Sequence, residues 1–296
     1  MMHLPGDRNT QRLFDLKRPS ILTVDDQIMT NSDERKSVLW TPQGVVTESA
    51  TLPEEAPLCI QINGSQLISI AASPTQREAL VLGFLHYAGL IRTAAEVRVL
   101  HFSHRPTDNT AATQYNICAD VWLDHDVEAL PAPWMRTSGC GSGVILGELR
   151  EPPEVLQHPV QVTPELLIEM RQKLQDAAFM YHETRGVHAS GLFTPEGELL
   201  ALAEDIGRHN TLDKLLGLCL IQNINPDGML LFTTGRISSE MMSKAAWLRT
   251  PIVGSMTAPS SLATALAGTW GITIAGYVRS GQIRIYTHPW RILGQS

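Results

Sequence analysis

From residue 163 to residue 286 the apolar residues switch repeatedly between helical and strand spacing, and that alternation limits the fold more than any other feature. Thr163-Pro164 reads as a helix start, a capping residue followed by proline at the first helical position. Leu166, Leu167, Met170, Leu174, Ala177, Ala178 and Tyr181 then recur every three or four residues, up to a stop at Gly186. Residues 187–193 read as a strand, Thr194-Pro195-Glu196-Gly197 as a turn, and 199–203 as its partner. Asn210 is expected to cap a helix through Gln222, with Leu212, Leu215, Leu216 and Cys219 inward. After the turn Asn225-Pro226-Asp227-Gly228 come strand 229–233, helix 238–248, strand 251–256, helix 260–267, and closing strands 272–278 and 283–286. This order predicts a layered α/β domain, residues 163–292, with helices on both faces of its sheet.

The first half is smaller and richer in strands. Residues 1–46 are polar and aperiodic, the pattern of a poorly ordered lead-in. A β-rich α+β region over 47–150 follows: strands 58–63 and 67–71 around Asn63-Gly64, a helix opened by Ser73-Pro74-Thr75 and ending near Gly89, and strands 97–102 and 115–123. Pro152-Pro153 and the polar run to Val162 read as a linker.

The chain of 296 residues is 43% hydrophobic, enough to bury a core, and its net charge of -7 argues against nucleic acid as a partner. A local basic pocket for one anion is still allowed. No apolar run reaches the roughly 18 residues of a membrane span, and Met1 to Arg8 lacks a secretory signal, so a soluble cytoplasmic protein is expected.

Four polar loops interrupt the α/β pattern where strands end. They are Glu204-Asp205-Ile206-Gly207-Arg208-His209-Asn210, Thr233-Thr234-Gly235-Arg236, Thr257-Ala258-Pro259-Ser260-Ser261, and the hairpin tip Tyr277-Val278-Arg279-Ser280-Gly281-Gln282. Each has a plain structural account, as a solvated loop, a salt bridge, helix caps or a bare tip. Together they would supply donors to an anionic, nucleotide-like ligand at one sheet edge. Val187-His188-Ala189-Ser190 resembles the H-A-E segment of zinc deaminases, but Ser190 stands at the glutamate position and no P-C-x-x-C follows. His188 is therefore read as hydrogen-bonded or ligand-facing, and no zinc is expected.

Of the cysteines, Cys59, Cys118 and Cys219 lie in apolar runs and read as small buried hydrophobes. Cys140 differs, standing between Gly139 and Gly141 with Gly143 beyond. Glycine on both sides would let backbone N–H groups converge on a thiolate, the reactive form of the residue. An ordinary glycine-rich loop with an incidental thiol is the other reading of that stretch alone.

The motifs G-V-H-A-S-G-L-F, E-D-I-G-R-H-N-T-L-D-K, T-G-R-I-S-S-E-M, A-P-S-S-L-A and Y-T-H-P occur in that order. They are preceded by E-E-A-P-L-C-I-Q-I-N-G and S-P-T-Q-R-E-A-L-V-L-G-F-L-H-Y-A-G-L-I. From about Thr47 to Ile292 the chain thereby resembles the formate dehydrogenase accessory sulfurtransferase family (FdhD/NarQ). The resemblance implies a cytidine-deaminase-like layered α/β core without zinc, in a cytoplasmic homodimer. It implies a sulfurtransferase that accepts sulfur from a cysteine desulfurase as a persulfide. The sulfur then passes to molybdenum in the bis(molybdopterin guanine dinucleotide) cofactor destined for formate dehydrogenase. Cys140 falls on the family's carrier cysteine. Tyr277, Val278, Arg279, Ser280, Gly281 and Gln282 fall on its cofactor-binding segment, and the loops bearing Arg208, His209 and Arg236 are expected around the same ligand.

One departure matters. The family loop is commonly C-G-x-C-G, and here Gly143 stands at the second cysteine. One thiol can still carry a persulfide, but it cannot close a loop disulfide that expels sulfide. That leaves a rival reading, a chaperone that binds the molybdenum cofactor without transferring sulfur.

Overall fold

The computed structural model describes residues 33–106, 115–127, 135–136, 144–145, 152 and 154–294. Strands β1 (Asp33–Thr41) and β2 (Gly44–Leu52) pair antiparallel in a two-stranded ribbon. Residues 33–46 thus carry strand structure where a poorly ordered lead-in was expected. Cross-strand partners make the difference: Leu39 faces Val46 and Trp40 faces Val45, pairs that neither segment reveals by itself.

β3 (Ala56–Ile62) and β4 (Ser65–Ala72) form the expected hairpin. Its corner residues Asn63 and Gly64 have φ of 48° and 84°, the mirror-image turn that this dipeptide favours. Helix α1 (Arg77–Ala88) follows, then β5 (Val97–Pro106) and β6 (Tyr115–Leu123). The sheet order is β4-β3-β6-β5, with only β3 and β6 parallel. Short strands β7 (Met135–Arg136) and β8 (Val144–Ile145) pair antiparallel and bracket the Cys140 segment, which itself lies outside the described residues.

The second half comprises α2 (Pro164–Ala177), α3 (Phe179–Thr184), β9 (His188–Phe193), β10 (Leu199–Asp205), α4 (Arg208–Gln222), β11 (Leu230–Thr233), α5 (Ser239–Trp247), β12 (Ile252–Ser255), α6 (Ser261–Trp270), β13 (Thr273–Arg279) and β14 (Gln282–Ile285). Its six-stranded sheet runs β10-β9-β11-β12-β13-β14. Residues alternate between two cores along each central strand, as a sheet covered on both faces requires. Leu192, Leu231, Val253 and Ile274 pack with α4, α5 and α6, while Phe193, Phe232, Ile252 and Ala275 pack with Leu167, Met170 and Leu174 of α2. Helices therefore cover both faces, as the alternation predicted.

The two halves meet through α1 and α4. Helix α1 is buried on nearly every side, giving one face to the four-stranded sheet and another to α4. The backbones touch: a methyl group on Gly83 would sit 1.7 Å from the Asp213 carbonyl oxygen, and one on Gly217 would sit 1.9 Å from that of Ala79. Backbone cannot yield as a side-chain tip does, so a single carbon at either position must part the helices.

Gly217→Ala should accordingly lower the unfolding free energy by about 3 kcal/mol in a urea titration. Gly268→Ala, a helix position where the new carbon meets nothing within 4 Å, should instead gain about 0.5–1 kcal/mol from helix propensity.

Candidate functional site

Strands β11, β12 and β13 are parallel, and β10 points the same way because β9 is antiparallel to both β10 and β11. Four strand carboxyl ends therefore share one edge, and α4, α5 and α6 begin there after β10, β11 and β12. Backbone N–H groups at such an edge favour anionic ligands. A cleft of about 580 Å³ opens along it, lined by Thr234 after β11, Met256 and Thr257 after β12, Val278, Arg279 and Ser280 around the end of β13, and Arg171 and Tyr181 from α2 and α3.

Hydrogen bonds fasten these loops to one another. Ala189 N–H donates to Thr234 Oγ1 at 3.0 Å, and Ser255 Oγ–H donates to the Gly235 carbonyl at 2.8 Å. Ser238 and Ser260 cap α5 and α6, accepting from Met241 and Ala263 N–H. Tyr277 N–H donates to the Thr257 carbonyl at 3.1 Å. Tyr277 itself has φ of 50°, inside a bulge where the β13–β14 register shifts between Gly276 and Arg279. A bulky residue in the left-handed region costs about 1–3 kcal/mol. The Thr257 contact and the guanidiniums of Arg279 and Arg284, 5.8 and 5.6 Å from the Tyr277 ring, hold it there. The bulge re-aims Val278 to Ser280 toward the cleft.

The cleft lining has two guanidiniums and four hydroxyl groups but no carboxylate, on a chain whose net charge is -7. Arg208 and Arg236 extend the positive edge. A methyl on Gly235 would lie 3.0 Å from Arg208 Cβ and 3.5 Å from His188 Nδ1, so these loops are in contact. Burial, then the charges of Arg208 and Arg236, pull the His188 pKa below the ordinary histidine value, with Asp205 opposing. A neutral imidazole suits its 3.4 Å approach to Thr234 Oγ1. Among the described residues, no cluster of three or more His, Cys, Asp or Glu side chains could hold a metal ion.

Behind the edge lies a buried ionic layer. Asp205 Oδ2 accepts from Lys214 Nζ at 2.7 Å, both side chains fully buried. The same carboxylate accepts from Ser73 N–H, Gly207 N–H and Asn210 Nδ2. Lys244 Nζ bridges Asp213 at 2.7 Å and Glu240 at 3.1 Å. His209 Nε2 lies 3.0 Å from Ser238 Oγ and 3.6 Å from Glu240. Burial first, then Lys244, Arg208 and His188, push the His209 pKa down to about 2. The ring is neutral at physiological pH, so its approach to Glu240 is not an ion pair.

The structure thus gathers Val278, Arg279 and Ser280 at the cleft and sets Arg208 and Arg236 beside His188 at the same edge. Tyr277, Gly281 and Gln282 belong to the hairpin but not to the lining, and His209 is buried beneath it. Cys140 lies outside the described residues. Asn210 does not cap α4: Gly207 is the capping residue, and Asn210 sits in the first turn, donating to the Ala71 carbonyl and to Asp205. Likewise Ser73 and Thr75 do not open α1, whose capping position is Gln76. They bind the Asp205–Lys214 pair instead.

Three lining residues escaped sequence reasoning, among them Met256, which was read only as the end of strand 251–256. Tyr181 was expected in the packed stripe of one long helix, but that helix breaks at Ala178, where ψ is 88°. The Glu204 carboxylate accepts from Met180 and Tyr181 N–H at 3.1 and 2.7 Å, capping the second segment and setting Tyr181 at the cleft. Arg171 borders the stripe beside Met170, and no motif marks it.

Comparison with known proteins places the whole chain rather than the site. The pattern of the FdhD/NarQ family matches residues 53–293. The chain is 34% identical over 263 residues to "Sulfur carrier protein FdhD" of Nocardia farcinica, covering 87% of this chain and 94% of that one. It is 33% identical over 276 residues to the protein of the same name in Halalkalibacterium halodurans, covering 90% and 97%. A crystal structure from Desulfotalea psychrophila, described as a candidate formate dehydrogenase accessory protein, superposes with a TM-score of 0.67. It shows 27% identity and covers 88% of this chain and 98% of that one.

The neutral His209 makes stability depend on pH. Its folded pKa is about 2 against 6.5 for the free group, so the unfolded chain alone binds that proton between these values. The contribution is complete above pH 6.5 and is lost as pH falls, by up to about 1.4 kcal/mol per unit. Asp213, pushed up to about 6 by burial, acts with the opposite sign: its contribution is complete below its ordinary value and lost as pH rises through 6. Wild-type curves therefore show the two slopes partly cancelling. His209→Gln should lose the histidine share, so its stability difference from wild type should shrink as pH falls from 7 to 5 in urea titrations.

Proposed function

The chain belongs to the FdhD/NarQ family, and from that membership we propose that it is a sulfur carrier for formate dehydrogenase maturation that works through a persulfide on Cys140. One observation carries the choice of residue. Of four cysteines in the chain, Cys59, Cys118 and Cys219 are buried. Burial also pushes the Cys219 thiol up to about 12, away from the thiolate that sulfur exchange needs. Cys140, flanked by glycines, is the thiol left for the work.

In this reading a cysteine desulfurase supplies the sulfur. The Cys140 thiolate attacks the outer sulfur of the donor's cysteine persulfide, a new S–S bond forms, and the old one breaks to return the donor thiolate. No net oxidation occurs. The outer sulfur then passes to molybdenum in the substrate, the bis(molybdopterin guanine dinucleotide) cofactor bound for formate dehydrogenase. Delivery as sulfide takes two electrons. With Gly143 at the usual second cysteine, two thiols from outside the loop supply them: the first displaces sulfide and is held as a mixed disulfide with Cys140, and the second releases it as disulfide and restores the Cys140 thiolate.

The cleft supports an anionic substrate of this kind. Guanidiniums and hydroxyls without a carboxylate suit phosphates, and about 580 Å³ lies within the range of small-molecule sites. Arg279 and Ser280 hold phosphate oxygens, Arg208 and Arg236 lower the potential for the rest of the anion, and neutral His188 can accept a hydrogen bond. Likeness to a zinc-free cytidine deaminase core, a homodimeric assembly and a cytoplasmic location belong to the same proposal. For the last, the supporting fact is that no helix among the described residues is long and apolar enough to cross a membrane.

Gly143 favours a second reading, a chaperone that carries the cofactor and moves no sulfur. Intact-protein mass spectrometry after incubation with a cysteine desulfurase and cysteine separates the two. The carrier gains one sulfur, lost on reduction and absent from Cys140→Ala, and that variant fails to activate formate dehydrogenase while still binding nucleotide. No added sulfur from a donor of demonstrated activity, with activation surviving in Cys140→Ala, would establish the chaperone.

A further inference from the structure

Arg171 sits in the middle of α2 and lines the same cleft as the strand-end loops. Other long polar side chains of that helix find partners: Gln172 donates to Asp176 at 2.8 Å, and Lys173 to the Gly197 carbonyl at 2.7 Å. Arg171 does not. Its Nε is buried without a hydrogen-bond partner, and the guanidinium meets no carboxylate among the described residues. The Arg171 charge in the cleft wall thus has no carboxylate partner among the described residues, which leaves its guanidinium able to take an anionic ligand in the cleft.

The neighbouring wall residue is fixed deliberately. Glu204 caps α3 and orients the turn that brings Tyr181 to the cleft. Arg171 and Tyr181 thus form a wall from α2 and α3 that faces the loops carrying Thr234, Thr257 and Arg279.

We propose that Arg171 is a ligand-binding residue that clamps the diphosphate of the nucleotide held in this cleft, with Arg279 as the second cation and Tyr181 as a hydroxyl donor beside it. The assignment rests on the nucleotide-bearing substrate read above. It adds a recognition element drawn from a helix that the strand-end motifs do not include. Two guanidiniums from separate elements would read the spacing of two phosphates, whereas a nucleoside would engage neither.

The test is calorimetric binding of guanosine diphosphate and of guanosine to the full chain. Wild type should bind the diphosphate, and inorganic pyrophosphate should compete. Arg171→Ala should weaken the diphosphate by about tenfold or more while changing guanosine less than twofold, and Arg171→Lys should recover part of the loss. Circular dichroism and thermal melts would show whether each variant is folded, and Arg171→Gln, which keeps length and polarity, serves where the alanine variant is not. Undiminished diphosphate binding by a folded Arg171 variant would overturn the clamp alone. A folded wild-type protein that binds no guanosine diphosphate would overturn the nucleotide reading of the cleft, and the clamp with it.

Discussion

The Asp205–Lys214 pair is the interaction on which the rest of the structure depends. Its two charges are fully buried at 2.7 Å, and desolvation of that kind is expensive unless every remaining valence is met. Here they are met from both halves of the molecule. Asp205 accepts from Ser73 N–H, Gly207 N–H and Asn210 Nδ2, while Lys214 Nζ donates to the carbonyls of Ser73 and Glu204. Burial pulls Lys214 below the ordinary lysine range, and Asp205 and Glu204 oppose that pull. Removing either partner would strand the other, an effect of about 3–5 kcal/mol. What the pair contributes is position: it sets the entry to α1, the start of α4 and the end of β10 against one another, and so fixes the rear of the cleft.

The second ionic layer extends this logic sideways. Lys244 joins Asp213 of α4 to Glu240 of α5, and Tyr87 of α1 reaches the same layer by donating its hydroxyl to Ser243 at 2.8 Å. The two carboxylates hold the Lys244 pKa above the ordinary lysine value despite burial. Acidic groups are thus spent on internal lysines behind the sheet edge. The guanidiniums that line the cleft face it without a carboxylate among the lining residues. A chain of net negative charge keeps a positive cleft in this way, by burying the neutralised pairs and exposing the unneutralised arginines.

Local chemistry was legible in the sequence, and long-range partnership was not. Asn63-Gly64, Thr163-Pro164, Ser238 and Ser260 announce a turn and three helix starts because the physics there spans only a few residues. The layered α/β arrangement followed from period alone. Asn210 and Ser73 misled for the same reason, since both are good caps that tertiary acceptors and donors had claimed. The break at Ala178 was invisible because apolar spacing runs through it, and the deciding group is Glu204, from another strand. Arg208, Arg236 and Arg279 could be singled out because they punctuate strand ends. Arg171 could not, since an arginine beside an apolar helix stripe is ordinary until the cavity next to it is seen.

The proposed sulfur relay would divide labour between cleft and thiol. A carrier sulfur meets two partners in turn, so the thiol cannot be enclosed in the site that grips one of them. The cleft is built on strand ends with buried backing, where every loop is hydrogen-bonded to its neighbour. Cys140 lies in the sequence between β7 and β8, which pair with each other through Met135 with Ile145 and Arg136 with Val144. In the proposed relay, anion binding and sulfur chemistry would be carried by residues far apart in the sequence. In that reading, Gly143 at the second cysteine position would change where the electrons for sulfide release come from, and the residues proposed to hold the anion would be unaffected.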